Sequence, residues 1–193
     1  MPISISAIPM TDVDKAVKKL VADARKGKGV PQYISLMSKV APLDPPFQKC
    51  FNVFYRVNGG GRTVNWKAAF YDVFDWAKTQ KSLPSYEGVL KRLVSDSRIG
   101  GRVERSFASK LLHTLDPTLP VIDKWILKNT GVTKPKNKDV LDAIRCYDEL
   151  ITWYAKALPD AKDWIAAFDA AFPAYCSAIT DLKKIDFILW QLR

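Results

Sequence analysis

An all-α fold in a single compact domain is what this sequence predicts, and three observations predict it. Apolar residues recur at three- and four-residue spacing between the chain's breaks, and period-two alternation is sustained nowhere. The breaks are helix punctuation: Gly27-Lys-Gly29, Pro42 to Pro46, Asn58-Gly-Gly-Gly61, Gly100-Gly101, Asp116-Pro117 and Pro159. Finally, 48% of the 193 residues are apolar and six are tryptophan, enough to bury one sizeable core. Eight or nine helices in one domain, residues 1–193, is the expectation.

Taken in order, Thr11 is placed to cap the first helix, with Asp12 and Asp14 at the positive end of its dipole. Val13, Ala16, Val17, Leu20, Val21 and Ala24 form its buried stripe. A shorter helix runs from Pro31 to about Val40, and Pro42 to Pro46 is a rigid link. Phe51, Phe54 and Tyr55 give the segment 47–57 a helical pattern, with strand as the alternative, since aromatic and β-branched residues fit both. After the triple glycine, Trp66, Ala69, Phe70, Val73, Phe74 and Ala77 mark a long helix. Ser85 caps the next, with Glu87 in its first turn and Val89, Leu90, Leu93 and Val94 inward.

Beyond residue 138, the segment 139–158 turns Val140, Leu141, Ile144, Tyr147, Leu150, Ile151 and Tyr154 inward. Residues 160–172 bury Trp164, Ile165, Ala167 and Phe168. The last helix, 177–192, buries Ile179, Leu182, Ile185, Ile188 and Leu189. No repeat of 20 to 50 residues is visible.

Several function classes are excluded on composition. No apolar run approaches the roughly 20 residues of a membrane span. Residues 1–10 lack a basic flank and hold two prolines, a poor signal peptide, so a soluble cytoplasmic protein is expected. Cys50, Cys146 and Cys176 are far apart and His113 is the only histidine; no metal, no cofactor and no disulfide are expected, and the thiols read as buried. Gly59 to Gly61 matches no nucleotide-binding glycine pattern and reads as a flexible connector, the alternative being a loop that moves when a ligand arrives.

The net charge of +10 is unevenly placed. Residues 1–97 hold 15 basic and 8 acidic groups, residues 98–138 hold 9 and 3, and residues 139–193 hold 6 and 9. A basic surface concentrated ahead of the C-terminal third suits a polyanion, most economically double-stranded DNA; a plain solubility charge is the competing reading. Lys124, Lys128, Lys134, Lys136 and Lys138 are either a solvated connector or a phosphate-facing rim.

The densest part of that charge is the element at about 98–130. Val103, Phe107, Leu111 and Leu115 recur every four residues beside Ala108 and Leu112, giving one broad apolar face. The helix breaks at Asp116-Pro117 and restarts after Pro120, carrying Val121, Ile122, Trp125 and Ile126 inward, with Asp123 near its first turn. Asp123 is either a cap, a ligand-facing acid, or both. His113, read as lying off the apolar stripe, would meet the C-terminal dipole of its helix. Trp125 and Trp190 read as core.

The run Ser106-Phe-Ala-Ser-Lys-Leu-Leu-His-Thr-Leu-Asp-Pro followed by Leu119-Pro-Val-Ile-Asp123 resembles the helix-hairpin-helix DNA glycosylase superfamily, specifically its small bacterial branch with the 8-oxoguanine glycosylase fold. Lys184-Ile-Asp-Phe-Ile-Leu-Trp-Gln191 is similar to that branch's C-terminal helix. What the resemblance implies is cleavage of the N-glycosidic bond of a base flipped from the duplex. Asp123 would then be the catalytic carboxylate, stabilising the positive charge that develops on the sugar. Gly100 and Gly101 with Arg98, Arg102, Arg105, Lys110, Lys124 and Lys128 would contact nucleic acid. Tyrosines and phenylalanines between residues 47 and 76 would line the pocket.

Two departures from the pattern bear on chemistry. The hairpin lysine of backbone-cleaving relatives is replaced by Ser106, and Lys110 lies about 200° away around the helix. An N-glycosylase without lyase activity is therefore expected. The hairpin's second glycine is also missing, with Val103-Glu-Arg105 in its place, and Glu104 would be unhelpful beside a phosphate. These departures motivate the alternative, a non-catalytic nucleic-acid-binding or protein-interaction module on the same fold, in either case a monomer.

Overall fold

Helices account for all the regular structure among the residues that the computed structural model describes, namely 2–40, 43–59, 61–136 and 138–192. They are α1 (Met10–Ala24), α2 (Val30–Met37), α3 (Pro45–Phe54), α4 (Val64–Thr79), α5 (Tyr86–Ser95), α6 (Arg105–Leu115), α7 (Lys124–Thr130), α8 (Val140–Ala157), α9 (Lys162–Ala171) and α10 (Asp181–Gln191). Ten helices stand where eight or nine were expected, the difference lying in α3, the segment for which strand had been the alternative. The strand alternative for 47–57 gives way to α3. Pro42 of the rigid link and Gly60 of the triple glycine lie outside the described residues. No helix among the described residues is long and apolar enough to cross a membrane.

Capping follows the sequence with two corrections. Ser85 and Asp139 accept the amides of Gly88 and Asp142, as good N-caps do. Thr11 does not cap α1: the carbonyl of Pro9 already accepts the amides of Asp12 and Val13, so the helix begins earlier. The last helix starts at Asp181, capped by Thr180, and not near Ser177, where a single 3-10 turn precedes it. On α8 the buried stripe runs through Ala143, Cys146, Tyr147, Leu150, Trp153 and Tyr154. Leu141 and Ile151 fall off that stripe and are exposed, contrary to expectation.

α10 is the central element, packed against α1, α7 and α9. Residues 182 to 189 are buried without interruption, as for a helix enclosed on every side. That run includes Lys183, Lys184 and Asp186. α5 packs against α4, α6 and α8 on the other side of the molecule. Between α3 and α4, Phe47, Phe51, Phe70 and Phe74 form a closed aromatic block, with Trp66 stacked on Phe70 at 5.3 Å.

Candidate active site

The hairpin region begins with Gly100 and Gly101, both at positive φ (70° and 66°), a conformation that strains any residue carrying a Cβ. They turn the chain from α5 into α6. Glu104, at the start of α6, does not point outward: its carboxylate is buried, accepting from the Trp66 indole at 3.0 Å and from Arg62 at 3.2 Å. The acid expected to repel a phosphate is therefore neutralised within the fold. Arg62 in turn lies 4.3 Å from the centre of the Phe107 ring, which ties the glycine connector to α6.

α6 has two differently employed faces. Phe107 and Leu111 enter the core, while Ser106, Ser109 and His113, spaced three and four residues apart, face the returning segment 116–123. Asp116 Oδ1 closes the turn by accepting both the amide and the hydroxyl of Thr118. His113 donates from Nδ1 to the Leu119 carbonyl at 2.6 Å, so its Nε2 accepts the Tyr33 hydroxyl at 3.2 Å. Ser109 Oγ accepts the Ile122 amide at 2.9 Å, and the Ser106 hydroxyl donates to the Ile122 carbonyl at 2.8 Å.

Both backbone polar groups of Ile122, the residue before Asp123, are thus held by serines of α6. Ser106, which the resemblance set against the lyase lysine, acts here as a backbone clamp on Ile122. His113 does lie in the last turn of α6, as expected, but it is fully buried, which corrects its placement off the buried face. Burial, with the Lys183 ammonium nearby, drives its pKa down to about 3, leaving the ring neutral.

Asp123 is the N-cap of α7, its Oδ1 accepting the Trp125 amide at 2.9 Å. The same half-buried carboxylate lines a cavity of about 280 Å³, close to the lower end of the ~300–1,000 Å³ usual for small-molecule sites. Capping and facing a cavity coexist in one side chain. Across the cavity stand Lys110 from α6, Phe54 and Tyr55 at the end of α3, and Lys183, Asp186, Phe187 and Trp190 from α10. Of the expected aromatics, Phe54 and Tyr55 are the ones lining it.

The Lys110 ammonium makes no hydrogen bond or ion pair among the described residues; it lies 4.8 Å from the Phe107 ring centre and 5.4 Å from that of Tyr55. Burial lowers its pKa to about 8, helped by the charges of Arg62 and Lys183 and opposed by Asp123 and Asp186. An amine of that acidity is partly neutral, hence nucleophilic, near physiological pH. Deeper in, Lys183 donates to Asp186 at 2.6 Å, and its ammonium sits over the rings of Phe187, Tyr33 and Phe54. Burial pushes the Asp186 carboxyl upward while Lys183 opposes that shift.

The basic residues named from the sequence divide into three groups. Lys110 is inside the cavity. Arg98 pairs with Asp72 at 2.8 Å and Asp96 at 2.7 Å. Arg102, Lys124 and Lys128 are exposed and Arg105 is half-buried. Trp125, expected in the core, is half-buried between the ammonium groups of Lys124 and Lys128, because it faces outward from α7. Trp190, also expected in the core, is half-buried at the cavity with Arg56 over its ring. Of the thiols, Cys146 is buried while Cys50 and Cys176 are half-buried.

Sequence reasoning missed Lys183 and Asp186. The signal was their placement, three residues apart in a segment whose other positions are nearly all apolar. Among the described residues no group of three or more His, Cys, Asp or Glu is arranged to hold a metal. Comparisons with protein-family models, with curated proteins and with solved structures find no match to this chain.

Proposed function

We propose that the chain is a DNA-binding protein of the DNA glycosylase fold, an N-glycosylase that acts on a damaged base flipped into the cavity. The observation that carries this reading is Asp123, a carboxylate using one oxygen as a cap while lining a cavity of about 280 Å³ walled by Phe54, Tyr55 and Trp190. Breaking the C1′–N bond leaves positive charge on the sugar, and a fixed carboxylate beside it lowers the barrier. The serine clamps on Ile122 support a fixed position for that acid, which suits a site needing no rearrangement as charge develops. Aromatic walls would stack the extruded base, offsetting the few kcal/mol lost on unstacking.

The direct test is incubation with duplexes carrying 8-oxoguanine, uracil, hypoxanthine or an alkylated base. Excision of at least one is expected, and Asp123→Asn is expected to abolish it while leaving the cap in place. No excision from any duplex, or undiminished excision by the variant, overturns the catalytic assignment. DNA binding without excision favours the non-catalytic module instead.

A second reading is favoured by Lys110. Its unpaired amine shares the cavity with Asp123, and its pKa of about 8 suits attack on C1′ as the base departs. Ring opening then gives a Schiff base, trapped by borohydride as a covalent protein–DNA adduct. An adduct formed by the native chain and absent from Lys110→Met assigns the amine; excision with no adduct leaves a monofunctional enzyme.

A further inference from the structure

Beside the cavity lies a second recess of about 570 Å³, bounded by the apolar residues Ile3, Ala7, Ile8 and Pro9, by α1, by the C-terminal end of α7 and by the end of α10. Gln191, buried and donating to Asp23, lines both and forms a wall between the two spaces. Lys15 and Lys19 border the recess from α1, and Lys128 borders it from α7. Lys15 and Lys19 are four residues apart, so their side chains leave the same helix face about 6 Å apart along the axis. Lys124 precedes Lys128 by the same interval on α7, and both ammonium groups lie against the Trp125 ring. Asn129, also on the wall, is held by donating to the carbonyls of Leu189 and Leu192. The recess therefore has a fixed floor and cationic borders on two helices.

The acid that lines it is Asp12, paired with Lys15 at 2.9 Å. That pair is exposed and of the kind worth about 0–1 kcal/mol, so a phosphate can replace the carboxylate at little cost.

We infer that this recess is a nucleic-acid backbone track: Lys15, Lys19 and Lys128 hold the phosphates of the strand next to the nucleotide in the cavity. Charge complementarity with a polyanion and the wall shared with the cavity at Gln191 are the grounds. The inference rests on the nucleic-acid-binding part of the proposed function and is independent of whether Asp123 or Lys110 is catalytic. It adds α1 to the binding surface, a helix whose lysines otherwise read as a solvated face.

The test measures fluorescence anisotropy of a labelled duplex carrying a tetrahydrofuran abasic site, across a salt series, with the chain of residues 1–193. Three proteins are compared: the native chain, Lys15→Gln/Lys19→Gln, and the control Lys81→Gln/Lys156→Gln, whose exposed lysines lie away from the recess. Each phosphate contact contributes about 0.9 to the slope of log affinity against log salt. The recess variant is expected to lose close to two units of slope and, at about 0.1 M salt, roughly tenfold in affinity per lysine. The control is expected to keep the native slope.

Native binding with an unchanged slope in the recess variant overturns the track and leaves the nucleic-acid reading intact. Equal losses in both variants also overturn it, since the effect is then net charge alone. Absence of salt-sensitive binding by the native chain removes the track and the nucleic-acid reading together.

Discussion

The aromatic block and the cavity beside it share one helix but enclose opposite things. α3 sends Phe47 and Phe51 into the block, where Phe51 meets Phe70 at 5.5 Å and Phe74 at 5.6 Å. Phe54, from the same helix, and Tyr55 just after it face the cavity, with Lys110, Asp123, Lys183 and Asp186 around them. Interlocked rings give density and rigidity. Charges in a half-open hollow are a different case, because a buried ion pair is rarely more stabilising than apolar residues of the same size. The block is explained by folding alone, and the cavity is not.

The largest effect should come from cutting into the block. Phe74→Ala is expected to cost about 3–5 kcal/mol in denaturant-measured stability, as buried Phe truncations do. Phe54→Ala, opening onto existing space, should cost clearly less. Equal losses would remove the contrast between the regions.

Next comes acid. His113 is held neutral with a pKa of about 3, below its ordinary 6.5, so the folded chain binds the proton later than the unfolded one. Its stabilising contribution is complete above pH 6.5 and falls as pH drops toward 3, at up to about 1.4 kcal/mol per unit. The stability gap between native chain and His113→Gln is expected to shrink by about 2 kcal/mol between pH 7 and 5. A gap independent of pH would mean the ring is not what holds the 116–123 segment at neutral pH.

How far the sequence allowed these regions to be told apart is clear from individual residues. Phe70, Val73, Phe74 and Ala77 were legible because helical spacing and size alone sort them inward. His113 was not: its partner Tyr33 is 80 positions away, and no local pattern announces that contact. Lys183, Lys184 and Asp186 were not singled out, since charge normally marks solvent, and only enclosure of α10 on all sides overrides that. Asp123 was half legible, its placement after Pro120 announcing a cap but not a cavity. The absence of a lysine at 106 pointed away from amine chemistry, whereas tertiary packing brings Lys110 into the same space as the acid.

A smaller effect separates the clamp from the cap. Ser109→Ala leaves the Ile122 amide without its acceptor and is expected to cost about 1 kcal/mol or somewhat more. If the proposed glycosylase activity holds, excision should fall through kcat more than KM, because Asp123 and not the aromatic wall is displaced. Smallest of all, Asp123→Asn should change stability by less than about 0.5 kcal/mol, Asn being as good a cap as Asp. A large thermal shift in that variant would mean the carboxylate charge belongs to the fold.

The way α7 is fastened has a consequence for how the protein could diversify. Ser109 and Ser106 secure the peptide before its first residue, Asn129 grips the end of α10, and the Thr130 carbonyl accepts the amide of Ile3. A seven-residue helix anchored by three distant stretches of chain is a mounting bracket and not a hinge. New selectivity is then most readily acquired by exchanging side chains on α3 and α10 while the bracket stays constant, so a library randomising Phe54, Phe187 and Trp190 should retain far more folded members than one randomising 119–123.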